Sequence, residues 1–309
     1  MSNFVTTPPQ LQQALLSFPA PHVLLVTLNR PRDLNCINAQ GHVDLNAAWE
    51  WMDAEPSLRV GIITGTGRAF CAGADLKGER ISSHPKPKPH IKWIWSKDIR
   101  SLYLEWNKVS STNTHVAMPN AGFGGLARRK GLKPVICAVN GICLGGGTEM
   151  IVNSDLVLAS SRATFGLPEV KRGVVALAGA LPRLVRTVGK QRALEMALTG
   201  RTLGAEEARG WGLVNDVVVV GDGVSEEDVC KAVVARALEV AGVITGNSPD
   251  AVIVSREGIK LGWEGIGADE AGVMLNDVWL SRLNRGENMK EGLKAFVEKR
   301  KPVWRDSKL

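Results

Sequence analysis

Apolar and polar positions alternate most clearly from His22 to Asn29 (HVLLVTLN), and this Val- and Leu-rich run predicts a strand. Pro31 breaks it within Arg30–Asp33. From Gln40 to Asp53 the period changes: Val43, Leu45, Ala48, Trp49 and Met52 recur at helical spacing. Val60–Thr64 (VGIIT), Pro134–Val139 (PVICAV) and Leu156–Ala159 (LVLA) are short apolar runs of the kind that forms buried strands. Strands alternating with helices through the first two-thirds of the chain predict an α/β fold.

Two regions depart from this rhythm. Ile81 to Leu132 begins with SSHPKPKPH, whose three prolines forbid regular helix or sheet. Ile91–Val109 then carries an amphipathic helical pattern, and Asn120–Gly125 (NAGFGG) reads as a glycine-rich loop. An insertion of this length is usually a lid or a binding loop. After Gly200 the pattern turns mostly helical. A short helix is expected over Ala205–Trp211, a last strand within Leu213–Val220, and helices near Glu226–Ala241, Ser248–Trp263, Asp269–Leu283 and Met289–Arg300. The expected division is a core over 1–205, interrupted by the 81–132 insertion, and a mainly helical region over 206–309.

Composition narrows the class. With 44% hydrophobic and 22% charged residues the chain can fill a packed core and does not resemble a disordered polymer. No apolar run approaches the roughly 18 residues of a membrane span, and Met1–Ala20 lacks the pattern of a secretory signal. The five cysteines form no CxxC pair, and their odd number argues against a disulfide framework and a zinc site. Between Lys77 and Lys133 twelve Lys or Arg face three Asp or Glu, so this segment alone exceeds the net charge of +7. A solvated Lys-rich loop, a nucleic-acid arm or the rim of an anionic-ligand site would each account for it. No helix-turn-helix, RRM or zinc-finger pattern accompanies it, so nucleic acid is not expected as a partner.

Four short segments carry candidate chemistry. Phe70-Cys-Ala-Gly-Ala-Asp-Leu-Lys77 follows the strand VGIIT, and its small residues permit close approach of a ligand to the backbone. A tight strand-to-helix turn would explain it equally well. Asn140-Gly-Ile-Cys-Leu-Gly-Gly-Gly-Thr-Glu149 places three glycines at a helix start, where they are costly unless the exposed N–H groups or close packing require them. Phe165-Gly-Leu-Pro-Glu169 sets a carboxylate directly after proline, and Gly173–Pro182 is a small-residue loop opening another helix. The histidines His22, His42, His84, His90 and His115 lie away from these motifs and read as surface or structural residues. Cys71 and Cys143 read as small packing residues.

Taken in order, TLNRP, GRAFCAGADLK, KPVICAVNGICLGGGTE, SDLVLASSRATFGLPEVKRG, ALTGRTLGAEEARGWGLVN and EGLKAFVEKRKPVW resemble the enoyl-CoA hydratase/isomerase (crotonase) family. The likeness runs from about Val23 to Asn215 and continues more weakly to the end. It implies a crotonase-type spiral of ββα units and a C-terminal helical trimerisation region, giving a homotrimer or hexamer. It also implies an acyl-CoA substrate, with coenzyme A belonging to the substrate, no separate cofactor and no metal. The family's oxyanion hole maps onto the backbone N–H groups of Ala74 and Gly146, and its catalytic carboxylates onto Glu149 and Glu169. The adenine end of the substrate would lie near Ala72, with Lys77 in reach of its phosphates. This constellation suits the chemistry: aimed N–H donors stabilise the enolate that develops on a thioester, and two carboxyls can divide the proton transfers at Cα and Cβ.

One departure bears on the reaction. Where hydratases of the family continue through Gly-x-x-Pro-Gly, this chain has Gly173-Val-Val-Ala-Leu177. Leu177 stands where a glycine helps hold the attacking water. The resemblance still favours reversible hydration of a 2-enoyl-CoA to a 3-hydroxyacyl-CoA, since an isomerase needs only the carboxylate corresponding to Glu169. Isomerisation, hydrolysis, carbon–carbon cleavage and a non-catalytic binding role are the alternatives. Finally, Ser307-Lys308-Leu309 match the peroxisomal address read by an import receptor, which predicts a peroxisomal enzyme with that receptor as a partner.

Overall fold

The computed structural model describes residues 4–75 and 119–309. Lys77, the proline-rich SSHPKPKPH and the helix expected over Ile91–Val109 lie outside the described residues.

The apolar runs of the sequence assemble into a six-stranded sheet. Its strands are β1 (Ala14–Ser17), β2 (Val23–Leu28), β3 (Val60–Gly65), β5 (Val135–Val139), β7 (Leu156–Ser160) and β10 (Asp216–Val218), in the order β1-β2-β3-β5-β7-β10. β1 runs antiparallel to β2, and the other neighbours are parallel. Every residue of β3 and β5 is buried because helices cover both faces. On one face α1 (Ala39–Ala54) contributes Leu45, Ala48, Trp49 and Met52 to the core. Asn38 caps this helix, its side chain accepting the Gly41 N–H at 3.1 Å. Val43 shares the helical spacing but stands 51% exposed, off the buried stripe.

A second sheet is built from pieces too short to show a period: β4 (Ala69–Cys71), β6 (Ile142–Leu144), β8 (Thr164–Gly166) and β9 (Thr202–Gly204), in the order β4-β6-β8-β9. Each long strand β3, β5 and β7 turns directly into one of these short strands. α2 (Gly146–Val152) follows β6, which gives the expected ββα spiral. Asn140 ties two of its turns together: its Nδ2 donates to the Gly67 carbonyl at 2.7 Å and its Oδ1 accepts the Gly65 N–H at 3.3 Å. The cleft described below sits beside this second sheet.

α3 (Ala180–Val188), α4 (Lys190–Thr199) and α5 (Ala205–Gly210) lead to β10 and then to α6 (Glu226–Thr245). α6 presents Val233, Ala237 and Ala241, spaced by fours, to Val60, Ile62, Ile136, Ala138 and Leu158 on the other face of the first sheet. The region expected from residue 206 onward therefore begins with elements that complete that sheet's packing. α7 (Pro249–Trp263), α8 (Ala268–Leu275), α9 (Ser281–Arg285) and α10 (Glu287–Val297) follow. The single helix expected over Asp269–Leu283 is interrupted by a π turn at Asn276–Leu280, which holds Trp279 against Ile253 and Val254.

Two cations of the basic segment turn inward. Arg129 pairs with Asp53 at 2.5 Å and donates to the Lys133 carbonyl at 2.9 Å. Lys133 donates to the carbonyls of Met52 at 2.8 Å and Glu55 at 2.5 Å, closing the C-terminal end of α1. Burial pulls the Lys133 amine down to about 8. These residues brace the entry to β5 and do not line the cleft described below. No helix among the described residues is long and apolar enough to cross a membrane.

Candidate active site

Residues from all four motifs meet in one cleft of about 1010 Å³: Ala72, Ala74, Gly146, Glu149, Glu169 and Leu177 line it. The backbone around Ala74 is held by an isolated parallel bridge to Ile37. The Ile37 N–H donates to the Gly73 carbonyl at 2.9 Å, and the Asp75 N–H donates to the Ile37 carbonyl at 3.0 Å. Successive N–H groups of an extended segment alternate sides, so the N–H of Ala74 faces away from Ile37.

The glycines of the first two motifs are demanded by close approach. A Cβ on Gly73 (φ 104°) would lie 3.2 Å from the Leu144 carbonyl oxygen and 3.3 Å from the Gly146 nitrogen. One on Gly145 (φ 54°) would lie 3.1 Å from Glu169 Oε1 and 3.8 Å from the Gly73 Cα. At Gly146 a Cβ would fall inside the Phe123 ring, and at Gly147 it would run into the Cys71 carbonyl. Any larger residue would push the two backbone segments and the Glu169 carboxyl apart. Gly146 opens α2, so its N–H has no carbonyl one turn earlier in the helix.

Glu149 lies in the first turn of α2, 5% exposed, and its Oε2 accepts the Ala180 N–H at 3.2 Å. Burial pushes its carboxyl up to about 7; the Ala180 N–H opposes the rise and the nearby Glu169 carboxylate adds to it. Glu169 is held in the 3-10 turn Pro168–Arg172 that follows β8. Burial raises its pKa as well, with Arg172 acting against the shift. Its Oε2 is buried and has no hydrogen-bond partner among the described residues. A buried carboxylate oxygen left in that state is costly, and a bound group offering a proton would relieve it. Two neighbouring carboxyls in unequal environments can hold different protonation states at one pH.

Leu177 stands 63% exposed at the cleft, while its neighbours Ala176 and Ala178 are buried. The Ala72 N–H donates to the Leu34 carbonyl at 3.0 Å, leaving a small side chain toward the cleft. Neither described histidine, His22 or His42, lines the cleft. Cys71 and Cys143 are wholly buried; burial pushes the Cys71 thiol up to about 12 and raises that of Cys143 well above its ordinary value, so both are inert packing groups. Among the described residues no group of three or more His, Cys, Asp or Glu could hold a metal ion. Phe123, whose ring borders the cleft beside Gly146, was not singled out by the sequence patterns. The one available signal was an aromatic residue embedded in the glycines of NAGFGG, which forms a buried 3-10 turn at Phe123–Gly125. Away from the cleft lining, Leu309 packs against the Ile253, Val254 and Trp279 cluster, its N–H donates to Ser307 Oγ at 3.2 Å, and Lys308 is exposed.

The sequence profile described as enoyl-CoA hydratase/isomerase matches residues 20–104 and 126–307. The chain belongs to this family. Among relatives, mevalonyl-coenzyme A hydratase of Aspergillus fumigatus is 48% identical over 301 residues, covering 97% of this chain and 98% of the relative. An (E)-benzylidenesuccinyl-CoA hydratase of Thauera aromatica is 32% identical, covering 92% of this chain and 96% of the relative. The crystal structure of enoyl-CoA hydratase from Mycobacterium tuberculosis superposes with a TM-score of 0.76 at 31% identity, covering 96% of this chain and 99% of that one. The fold is thus the crotonase fold, and the chain is an enzyme of the enoyl-CoA hydratase/isomerase family.

Proposed function

We propose that this enzyme reversibly adds and removes water across the Cα–Cβ bond of a coenzyme A thioester, with mevalonyl-CoA, a 3-hydroxy-3-methylacyl thioester, as its first substrate class. The observation that carries this reading is the pair Glu149 and Glu169 in one cleft, with Glu169 Oε1 against Gly145 and Oε2 buried without a partner among the described residues. The likeness to the Aspergillus fumigatus mevalonyl-coenzyme A hydratase over nearly the full length of both chains supports the substrate class.

In this reading the thioester oxygen sits between the N–H groups of Ala74 and Gly146, which stabilise the enolate that develops when the Cα proton leaves. Losing one such donor typically costs about 3–4 kcal/mol of barrier. Glu169 takes the Cα proton. Glu149, its carboxyl held near 7 by burial, protonates the C3 hydroxyl as the C3–O bond breaks, and water departs as the Cα–Cβ double bond forms. Hydration is the reverse, with Glu149 drawing a proton from the incoming water. Ala72 flanks the coenzyme A moiety, and Lys77 is the proposed partner of its phosphates. Leu177 contributes an apolar wall where a glycine would leave room, which suits an extra methyl at C3 better than a bare chain.

We also propose a trimer, or a dimer of trimers, built through the region after residue 206, where Leu293, Phe296 and Val297 of α10 are 61%, 84% and 79% exposed. Peroxisomal import through Ser307, Lys308 and Leu309 completes the proposal. The test is incubation of the purified chain with mevalonyl-CoA, 3-hydroxybutyryl-CoA and crotonyl-CoA, followed by mass analysis. Loss of one water from the hydroxyacyl thioesters, or gain of one by crotonyl-CoA, is expected. Release of free coenzyme A, or a product of unchanged mass, would replace this reading with hydrolysis or isomerisation.

A further inference from the structure

We propose that His42 is a positioning residue for the backbone donor at Gly146, acting through the Phe123–Gly125 turn. The inference rests on the functional reading above, in which the Gly146 N–H holds the thioester oxygen.

The connection can be followed atom by atom. His42 and Trp49 lie seven residues apart on α1, and so on the same side of the helix two turns apart. The Gly124 N–H donates to His42 Nδ1 at 3.2 Å, and the Trp49 indole Nε1–H donates to the Gly124 carbonyl at 3.0 Å. The two peptide groups that flank the Gly124 Cα are therefore clamped, one at its donor and the next at its acceptor, by a single helix. Gly124 adopts φ 59°, and a Cβ there would strike Met150 of α2, so the turn is wedged between α1 and α2. Phe123, next along the turn, meets the His42 ring edge to face, with centroids 4.8 Å apart at 88°. Its own ring lies so close to Gly146 that no side chain could exist there. Moving the turn by a few tenths of an ångström moves the Phe123 ring, and the ring can only press on or withdraw from the first residue of α2.

A polar side chain at position 42 needs a reason, because His42 is 8% exposed beside an aromatic ring. An apolar residue would pack there without desolvation cost, but it would leave the buried Gly124 N–H without an acceptor. Since Nδ1 accepts, the ring proton sits on Nε2 and the imidazole is neutral. Burial holds its pKa down at about 4, so this state persists across the physiological range. The histidine thus supplies an acceptor of fixed direction on a rigid helix, two contacts removed from the reacting oxygen. That is the kind of support on which an aimed donor depends.

The test is a double-mutant cycle of His42→Leu and Phe123→Leu, with His42→Asn as the conservative variant that retains an acceptor. The readouts are kcat and KM for mevalonyl-CoA, together with the Kd for free coenzyme A. His42→Leu is expected to lower kcat about tenfold or more, since a donor misplaced by a fraction of an ångström forfeits much of its effect. KM and coenzyme A binding should stay within about threefold, because a donor acting mainly on the transition state contributes little to ground-state affinity. His42→Asn should recover most of the rate. The two leucine changes should be less than additive, because both act on Gly146. If His42→Leu does not fold, the comparison of His42→Asn with Phe123→Leu decides: near-wild-type kcat in the first and a fall in the second supports the role, and unchanged kcat in Phe123→Leu overturns it. Wild-type kcat in a folded His42→Leu, or strict additivity, also overturns it. A wild-type chain inert toward every coenzyme A thioester would instead sink the functional reading, and this role with it.

Discussion

Replacing Glu149 with glutamine removes a carboxyl that the folded chain holds in an unfavourable state. Burial raises its pKa from 4.5 to about 7, whereas the unfolded chain returns it to the ordinary value. A raised carboxylate pKa means that the folded state binds the proton more tightly. The associated stability is complete below about 4.5 and is lost progressively as pH rises toward 7, then stays lost. The shift corresponds to roughly 3 kcal/mol at pH 8. Glutamine keeps an oxygen for the Ala180 N–H but brings an amide N–H that needs a partner, which takes back about 1 kcal/mol. The variant should therefore be more stable than the wild type at pH 8 by about 2 kcal/mol, or roughly 3 °C in Tm for a chain of this size. At pH 4.5 that gain should be absent. The same substitution removes a general acid–base group and should lower kcat by about 10²–10⁴-fold. Thermal or chemical unfolding of both proteins from pH 4.5 to 8, alongside steady-state turnover, checks both halves. A Glu149→Gln protein that is no more stable at pH 8, or whose advantage does not depend on pH, would refute the placement of Glu149 as a destabilising buried acid. Undiminished turnover would refute its role in the reaction.

Glu169→Gln should lower kcat by a similar factor, about 10²–10⁴, with coenzyme A binding preserved; if Glu149→Gln is silent while Glu169→Gln is not, isomerisation becomes the better reading. Leu177→Gly should raise the rate with crotonyl-CoA relative to mevalonyl-CoA, measured as a ratio of kcat/KM values, and an unchanged ratio would remove Leu177 from the acyl pocket. Light scattering at micromolar concentration should give three or six chains per particle, and a monomer would contradict assembly through the region after residue 206. Deleting Leu309 should leave the enzyme folded and active but cytosolic, as imaged with a tag at the amino end; a full-length chain that stays diffuse would contradict the import signal.

The first sheet was legible because β2, β3, β5 and β7 are buried on both faces or nearly so, and such strands appear as apolar runs. The second sheet was not legible in the hydrophobic pattern and came only with the ββα spiral that the resemblance implies. Its strands hold three residues each, too few to display a period. Their order is set by backbone turns such as the one Asn140 ties, which depends on residues far apart in sequence. The interruption at Asn276–Leu280 was invisible for a related reason: helical spacing continues through it, and only the docking of Trp279 on Ile253 and Val254 reveals the extra residue in the turn.

At the cleft, the motifs marked glycines and carboxylates unusual where they stand, and the resemblance to the family singled out Ala74, Gly146, Glu149 and Glu169 among them. Nothing in the sequence showed that Gly73, Gly145 and the Glu169 carboxyl lie within ångströms of one another. Phe123 and His42 stayed hidden because an aromatic residue in a loop and a histidine on a helix are common, and their meaning comes from contact with Gly146 and Gly124. Of the basic surplus between Lys77 and Lys133, Arg129 and Lys133 are spent on Asp53 and the end of α1, which only their packing shows.

The most direct test of two glutamates acting on one water is turnover of an unsaturated thioester in water labelled with heavy oxygen. The wild type should yield a 3-hydroxyacyl-CoA carrying the label in its new hydroxyl, and the Glu149→Ala/Glu169→Ala double variant should yield none while still binding coenzyme A. Label appearing in a free carboxylic acid, an unlabelled product of unchanged mass, or labelling undiminished in the double variant would contradict the account.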